Sequence, residues 1–332
     1  MRKWVNIIEE ILPNIFVIKV PLPGNPLQAI NAYLVRGRER NLLIDTGFNR
    51  VECRTALLNG LRSLDVSLDE TDIFLTHMHA DHSGLISAVA TDKSAIYCSE
   101  LDAKRINMAL TPTYWPKNLA YAESHGFPLH KYRDELLQHP SQRYGPDKQH
   151  EFSIIGEGDV LEVDGYSFVA VETPGHTPGH ICLYEPDKKI LISGDHILGD
   201  ITPNITMFYG GLADPLGRYL QSLDKVNSME ISVGLPGHQG IIRDVHRRIG
   251  ELKQHYENRL GEVLTVLQSG MKNAFQVAGG VTWDIPCAWD RFPLQQLWFA
   301  TGEIISHLEH LRQRNKVRRL EHGGVLLFEL VK

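Results

Sequence analysis

The sequence THMHADHSG, residues 76–84, places four potential metal ligands within six positions: His77, His79, Asp81 and His82. The apolar run DIFLT leads into it, as a buried strand that ends in a functional loop would. In extended backbone, side chains two positions apart point the same way and neighbours point oppositely. His77 and His79 can therefore share one ion, while Asp81 and His82 point elsewhere. The segment predicts two adjacent metal sites, with imidazole and carboxylate ligands that suit zinc, iron or manganese.

A second histidine motif, TPGHTPGH at residues 173–180, places His176 and His180 four positions apart between repeated Pro-Gly steps. Residues four apart share one face of a helix. The prolines and glycines argue against a helix here, so the two rings need not converge. At most one of the two is expected to bind a given ion.

The composition of the 332-residue chain is that of a globular protein with a sizeable core, with 42% hydrophobic and 22% charged residues. This length allows one large domain or two smaller ones. A net charge of -6 excludes a general attraction to nucleic acid or anionic membranes. No apolar stretch is long enough to span a bilayer, and the amino terminus MRKWVNIIEEILPN lacks the pattern of a secretory signal. A cytoplasmic protein is therefore expected.

The cysteines never approach the Cys-x-x-Cys spacing of zinc ribbons or redox motifs, and all four are predicted to be buried thiols: Cys53, Cys98, Cys182 and Cys287. Histidine is the exceptional residue type. The chain has 16 histidines, and several cluster beside Asp and Gly rather than being scattered. Any chemistry is therefore expected at the histidine motifs.

Strand patterns with interspersed helices run through the first 240 residues. Strands are predicted in NIFVIKVPL, INAYLVRG, NLLIDTG, DIFLT, YSFVAVET, HICLYEP, KKILISGD and ISVGLPGH. Helical spacing covers residues 50–63 and 215–228. Helical segments broken by prolines at about 99–140 indicate an insertion that could cover a site. The histidines lie just past the strand ends.

The pattern changes after about residue 240. Helices are predicted at about 241–268 and 294–313, with the short segment NAFQVAG between them, and KVRRLEHGGVLLFEL indicates a two-stranded ribbon. Three helices followed by a hairpin resemble a winged helix. We therefore expect a first domain at residues 1–245 and a winged-helix-like domain at residues 246–332.

Five motifs occur in one order along the chain: LIDTG with Asp45, THMHADHSG, TPGHTPGH, SGDH with Asp195, and LPGHQG with His238. This order resembles the metallo-β-lactamase superfamily, whose pattern is His-x-His-x-Asp-His after a buried strand. The resemblance covers about residues 14–240. It implies an α/β (α+β) fold in which two β-sheets pack face to face with helices outside, an αββα sandwich. It also implies that the first domain is catalytic, with a dinuclear metal site at one edge.

The resemblance assigns roles to individual residues. It implies one metal bound by His77, His79 and His176, a second bound by Asp81, His82 and His238, and Asp195 as the bridge. It gives Asp45 the task of orienting a ligand histidine and His180 a hydrogen-bonding role beside the site. His196 either faces the substrate or is an ordinary hydrogen-bonded histidine.

The implied activity is hydrolysis. Two divalent metal ions, with zinc expected and iron or manganese as alternatives, would hold a hydroxide that attacks the substrate, and Asp81 would pass a proton to the leaving group. The chain contains no Gly-x-Ser-x-Gly elbow, P-loop or dinucleotide fingerprint.

A small ester, thioester or lactone is the expected substrate, because glyoxalase II-like thioesterases and acyl-homoserine lactone hydrolases share this ligand set. The lactonases carry a tyrosine shortly after the bridging aspartate, where this sequence reads DHILGD. That departure argues against lactones.

Aromatic residues near the motifs have two interpretations. Residues of the helical insertion and of the segment after Asp195 could line an apolar acyl pocket, or they could belong to the core. The predicted substrate contacts are Tyr114, Trp115, Phe208 and Tyr209, together with His196.

Two other functions stay open. Superfamily endoribonucleases of the lactamase-like branch also carry a C-terminal winged helix, and RQRNKVRR at 312–319 could touch phosphates of single-stranded RNA. From residue 255 onward, however, 9 Lys and Arg face 8 Asp and Glu, a net charge of +1, which is low for a nucleic-acid-binding domain. A non-catalytic metal-binding regulator is disfavoured because the full ligand set is present. The tail could also form a homodimer.

Overall fold

The computed structural model describes residues 7–331, so the start of the segment considered as a secretory signal, residues 1–6, lies outside the described residues. The strands are β1 (Ile8–Leu12), β2 (Ile15–Pro21), β3 (Ala29–Val35), β4 (Asn41–Ile44), β5 (Thr71–Phe74), β6 (Ile96–Cys98), β7 (Ser153–Ile154), β8 (Val160–Val163), β9 (Tyr166–Glu172), β10 (Ile181–Glu185), β11 (Ile190–Gly194), β12 (Val233–Pro236), β13 (Val317–His322) and β14 (Val325–Leu330). The helices are α1 (Val51–Ser63), α2 (Ala80–Ser83), α3 (Ile86–Val89), α4 (Glu100–Ala109), α5 (Tyr114–Ser124), α6 (Leu129–Leu136), α7 (Pro140–Arg143), α8 (Pro215–Asn227), α9 (Val245–Leu267), α10 (Ala274–Ala278) and α11 (Leu294–Gln313).

Two sheets form the centre of the molecule. The first has seven strands in the order β1 to β7, antiparallel from β1 to β4 and parallel from β4 to β7. The second has five strands in the order β12-β11-β10-β9-β8, in which β11 and β12 are parallel and the other neighbours antiparallel. The apolar runs that predict these strands are β-branched and aromatic, as residues buried on a pleated surface tend to be.

The sheets pack face to face over one hydrophobic core. Tyr33, Ile44 and Phe74 of the first sheet are buried together with Phe168 and Leu183 of the second. Helix α1 covers the outer face of the first sheet, where its buried positions 53, 57 and 61 recur at helical spacing and meet that sheet's residues. Helix α8 covers the outer face of the second sheet. The predicted αββα sandwich is confirmed.

The C-terminal helices pack on the same outer face as α8. One hydrophobic cluster joins Cys182 and Leu191 of the second sheet to Tyr256 of α9, Ile304 of α11 and Phe328 of the hairpin β13–β14. The expected domain boundary at residue 245 coincides with the start of α9, whereas the packing is continuous across it. The C-terminal region therefore covers one side of the sandwich.

The loops that carry the histidine motifs lie at one edge of the two sheets. Strands β4 and β5 are parallel neighbours, so Asp45 and the 76–79 loop leave the first sheet side by side. Strands β11 and β12 are also parallel, and they deliver Asp195 and His238. Ile181 donates a backbone hydrogen bond to the carbonyl of Thr76, which joins the two sheets at this edge.

Several predictions need correction. Cys287 is exposed, so the prediction of four buried thiols is wrong for this one; it lies in the irregular segment between α10 and α11. The segment NAFQVAG forms α10, the middle one of the three helices expected before the hairpin, and Asn273 caps it with a capping box. The backbone is extended at His79 but helical from Ala80 to Ser83, so the 76–84 segment is not extended throughout.

None of the helices within residues 7–331 combines the length and the apolar composition that a membrane span requires.

Candidate metal centre

The loop after β5 brings His77 and His79 together. His77 Nε2 lies 3.0 Å from His79 Nδ1, so these two ring nitrogens face one point. His77 Nδ1 lies 3.0 Å from the hydroxyl of Thr76, which donates to Asp45. This outer hydrogen bond places the ring hydrogen on Nδ1 and leaves Nε2 with a free lone pair.

Asp81 and His82 lie in the helical turn α2 that follows His79, and the ring of His82 lies beside that of His77, with centroids 4.0 Å apart. His82 Nδ1 donates to Asp45 Oδ2 at 2.8 Å. Asp45 also accepts the backbone N–H of Thr76 at 2.9 Å. Asp45 has a φ of 61°, a left-handed conformation that Asp tolerates better than most residues. The carboxylate thus holds the outer ring nitrogen of His82.

The TPGHTPGH segment is a loop, and its two histidines differ. His176 donates from Nδ1 to the carbonyl of Asn204 at 2.9 Å, and its Nε2 has no hydrogen-bond partner among residues 7–331. His180 uses both ring nitrogens, because Nδ1 lies 2.8 Å from the Thr173 hydroxyl and Nε2 accepts the backbone N–H of Asp195 at 3.2 Å. His176 has a lone pair available for a metal and His180 does not.

Asp195 and His238 complete the cluster. Asp195 Oδ1 lies 3.5 Å from His82 Nε2, and Oδ2 lies 3.7 Å from His176 Nε2 and 3.5 Å from His238 Nε2. His238 Nε2 is also 3.5 Å from Asp81 Oδ2, and its Nδ1 donates to the carbonyl of Ala29 at 2.9 Å. The Asp195 carboxylate therefore lies between the two groups of histidines.

These side chains form three overlapping groups, each compact enough to hold a metal ion. The groups are His77, His79 and His176; His77, His82 and Asp195; and Asp81, His82 and His238. Within the described part of the chain, the inward nitrogens of His82, His176 and His238 are buried without a hydrogen-bond partner. Buried polar atoms are nearly always paired, so such a set of convergent nitrogens fits cations that take their lone pairs.

Three rings are held neutral. Burial, reinforced by neighbouring histidines, lowers the pKa of His77 well below its usual value. Burial also lowers the pKa of His79 to about 3 and lowers the pKa of His176. A neutral imidazole is the form that binds metal, so these rings need lose no proton when an ion enters.

The other half of the cluster attracts positive charge. Burial disfavours the charged ring of His238, yet Asp195 and Asp81 outweigh it and raise its pKa to about 10. Burial also disfavours the charged ring of His82. Asp45 and Asp195 outweigh burial and raise the pKa of His82 well above its usual value. The carboxylates thus create a negative field in which a divalent cation can replace the bound protons.

Asp102 is a buried residue of this region that sequence reasoning missed. It lies in the first turn of α4 and accepts hydrogen bonds from the backbone N–H of Met78 at 3.0 Å, from the Thr177 hydroxyl at 2.5 Å and from the backbone N–H of Gly179 at 2.8 Å. One carboxylate thereby ties the His77–His79 loop to the His176–His180 loop. Its only sequence signal is a place in the helical insertion.

The predicted substrate contacts lie in different surroundings. His196 is completely buried between Tyr219 and His180, and within residues 7–331 neither of its ring nitrogens has a hydrogen-bond partner, so it fits neither a substrate contact nor an ordinary hydrogen-bonded histidine. Tyr114 and Trp115 are half-buried at the start of α5. Tyr209 is 49% exposed.

Phe208 lines a narrow apolar pocket between α5, α11 and the segment after Asp195. The pocket measures about 20 Å³, room for about one water molecule. Tyr121 and Trp298 also line it.

Comparison with known proteins shows which proteins the chain is similar to. Residues 25–238 match the sequence profile of the Metallo-beta-lactamase superfamily. The chain is 25% identical over 326 residues to the Probable metallo-hydrolase YqjP of Bacillus subtilis, a match that covers 96% of this chain and 98% of that protein. It is 26% identical over 257 residues to the Atrochrysone carboxyl ACP thioesterase of Aspergillus fumigatus, covering 76% of this chain and 65% of that protein. The chain spans 61% of the length of two lactamase-like proteins from filamentous fungi.

Among solved structures, the chain is similar to a metallo-beta-lactamase family protein from Thermus thermophilus. The TM-score is 0.81 at 27% sequence identity, and the match covers 97% of this chain and 100% of the other. The likeness therefore extends through the C-terminal helices as well as the sandwich.

Proposed function

Because the chain belongs to the metallo-β-lactamase superfamily, whose members are metal-dependent hydrolases, we propose that it hydrolyses a small ester, thioester or lactone at a dinuclear metal centre. One observation carries the proposal: unpartnered buried ring nitrogens of the described chain converge on the Asp195 carboxylate at one edge of the two sheets. Zinc is the proposed metal, with iron and manganese as alternatives because the same ligands accommodate them.

Two bound cations would supply a water of lowered pKa and would polarise the acyl oxygen of the substrate. The protein holds the three neutral rings of His77, His79 and His176 on one side of Asp195. It holds His82 and His238 on the other side. Asp81 is the more exposed of the two ligand carboxylates, with 15% of its side chain accessible against 9% for Asp195. Burial opposes the charge of Asp81, yet His238 and His82 outweigh burial and lower its pKa to about 2, so Asp81 is ionised and is proposed to take a proton from the attacking water and pass it to the leaving group.

Thioesters are the favoured substrates. The Aspergillus fumigatus relative is named as a thioesterase, which supports this choice. Lactones are less favoured because the tyrosine of the lactonases is missing after Asp195.

The test is to load the purified protein with Zn²⁺, Mn²⁺ or Fe²⁺ and to assay acyl thioesters, aryl esters, lactones, a phosphodiester and RNA. We expect metal-dependent turnover of thioesters or esters that is lost in Asp195→Ala and His79→Ala. His310→Ala is the matched control, since His310 is also buried but pairs with Asp214 outside the cluster. Turnover that survives both site substitutions, or its absence on every acyl substrate, would contradict the proposal.

RNA cleavage is the second candidate function, and the charges of the C-terminal region argue against it. Arginines of the basic run form ion pairs with carboxylates of the chain: Arg312 and Arg319 with Glu309, Arg314 with Glu257, and Arg318 with Glu329. A phosphate would have to compete with these carboxylates. Salt-sensitive RNA binding with cleavage would favour the nuclease, and metal binding without any turnover would favour a regulator.

A further inference from the structure

We propose that Glu303 of helix α11 is a positioning residue of the metal centre: through Asn204 it fixes the carbonyl group that accepts the ring hydrogen of His176. The C-terminal helix would then complete the site built by the sandwich. The inference rests on the proposed function in one respect, that His176 binds a metal ion.

The contact between His176 and Asn204 is the first step. His176 Nδ1 donates to the backbone carbonyl of Asn204 at 2.9 Å, and its Nε2 faces Asp195 at 3.7 Å. The direction of the Nε2 lone pair therefore depends on where the Asn204 carbonyl lies. Groups that bind the outer nitrogen of a ligand histidine set both its tautomer and its orientation.

Helix α11 holds Asn204 in place. The Asn204 side-chain amide donates to Glu303 Oε2 at 3.2 Å and to the Phe299 carbonyl at 3.4 Å, and its oxygen accepts the Thr206 hydroxyl. Three residues further along, the backbone N–H of Met207 donates to the carbonyl of the helix at position 302 at 3.3 Å. The segment 204–207 is thus fastened to one turn of α11, and no strand of either sheet contains it.

Burying the carboxylate of Glu303 costs stability if the residue serves only to pack the helix. It is 6% exposed, and its charged partner is Arg259, whose Nη1 lies 3.5 Å from Oε1. Arg259 is itself fixed by stacking on Trp283 at 4.1 Å and by Glu262 at 3.4 Å. A buried ion pair adds little stability over apolar residues of similar size. The carboxylate is better explained by what it orients, which is Asn204.

Glu309 provides a matched control on the same helix. It is 1% exposed, and it pairs with Arg312 at 2.6 Å and Arg319 at 2.7 Å. Glu303 and Glu309 therefore lie on the same helix, are both buried and each pair with arginine. They differ in that Glu303 contacts Asn204.

The experiment measures the Zn²⁺ affinity of Glu303→Ala, Glu303→Gln and Glu309→Ala by competition with a chromophoric chelator, and the visible spectrum of the Co²⁺-loaded proteins. Because hydrogen-bond partners of ligand histidines typically change metal affinity by about 10- to 100-fold, we expect about a tenfold loss in Glu303→Ala. Glu303→Gln keeps an oxygen for the Asn204 amide and should recover most of the affinity. Glu309→Ala should bind Zn²⁺ like the wild type.

Asn204→Ala supplies a second route if Glu303→Ala does not fold, since it removes the clamp and keeps the carbonyl. It should show the same loss and the same altered Co²⁺ spectrum. If the wild type binds Zn²⁺ and every variant binds it with the same affinity, the role of Glu303 is overturned but the proposed function is not. Equal losses in Glu303→Ala and Glu309→Ala would overturn that role too. A wild type that binds no transition metal would overturn both this inference and the proposed function.

Discussion

Replacing Asp45 with Asn should weaken metal binding by changing the tautomer of His82. In the native site Asp45 Oδ2 accepts the Nδ1 hydrogen of His82 at 2.8 Å, while Oδ1 accepts the Thr76 N–H at 2.9 Å. If the Asn oxygen keeps the Thr76 N–H, its NH₂ group faces His82 Nδ1. The ring must then carry its hydrogen on Nε2, the nitrogen that faces Asp195 at 3.5 Å, and a protonated nitrogen cannot bind a metal.

The size of the effect follows from the burial of these groups. Asp45 is 1% exposed and His82 is completely buried, so water cannot satisfy the mismatched donors. Leaving a buried donor unpaired costs about 1–3 kcal/mol, and changing the orienting partner of a ligand costs about 10- to 100-fold in metal affinity. The backbone adds no separate penalty, because Asn tolerates the φ of 61° at this position as Asp does.

The assay compares Zn²⁺ affinities of wild type, Asp45→Asn and the control Asp214→Asn by chelator competition. Asp214 accepts from Nδ1 of His310 at 3.0 Å and caps helix α8, so its replacement disturbs a similar Asp–His pair outside the cluster. We expect a loss of about 10- to 100-fold in Asp45→Asn and none in the control. Wild-type affinity in Asp45→Asn, or an equal loss in both variants, would refute the tautomer argument.

Three further predictions concern residues around the site and the surface. Asp102→Ala leaves the buried backbone N–H of Gly179 and the partly buried backbone N–H of Met78 unpaired, so thermal unfolding should show about 1–3 kcal/mol of lost stability. A change under about 0.5 kcal/mol would contradict the tie between the loops. Burial raises the pKa of Glu303 from 4.5 to about 7. The stabilisation that comes from keeping this side chain protonated, about 3 kcal/mol of unfolding free energy, is complete below pH 4.5 and is lost as the pH rises through 7. Denaturant unfolding of the metal-free protein should show this slope, and Glu303→Gln should lack it. Cys287 is the exposed thiol, so a thiol reagent should label one cysteine before unfolding and none in Cys287→Ser.

The strands and the histidine motif at 76–84 are local signals, whereas the sandwich and the full ligand set follow from the resemblance to the metallo-β-lactamase superfamily. The apolar runs that lead to Asp45, His77 and Asp195 each end at a motif, and parallel neighbours bring their ends to the same edge. Four ligand candidates fall within six residues at 77–82. The short helix α2 at residues 80–83 is not predicted, because four residues are too few for a periodic pattern.

The supporting residues were beyond prediction because their partners are distant in sequence. Asp102 contacts Met78, and Glu303 contacts Asn204 across almost a hundred residues. An aspartate at the start of a helix and a glutamate within one are ordinary surface residues by composition, and only the fold buries them. Their roles depend on long-range packing, which neither spacing nor residue type encodes.

Metal stoichiometry tests whether the seven side chains hold two cations. The purified protein should be stripped with a chelator, titrated with Zn²⁺ and analysed for metal per chain, alongside His79→Ala and Asp195→Ala. The account predicts two ions per wild-type chain, loss of one in His79→Ala and weakening of both in Asp195→Ala, because Asp195 lies against both groups of histidines. A wild type that takes up no transition metal, or variants that retain both ions at wild-type affinity, would contradict it.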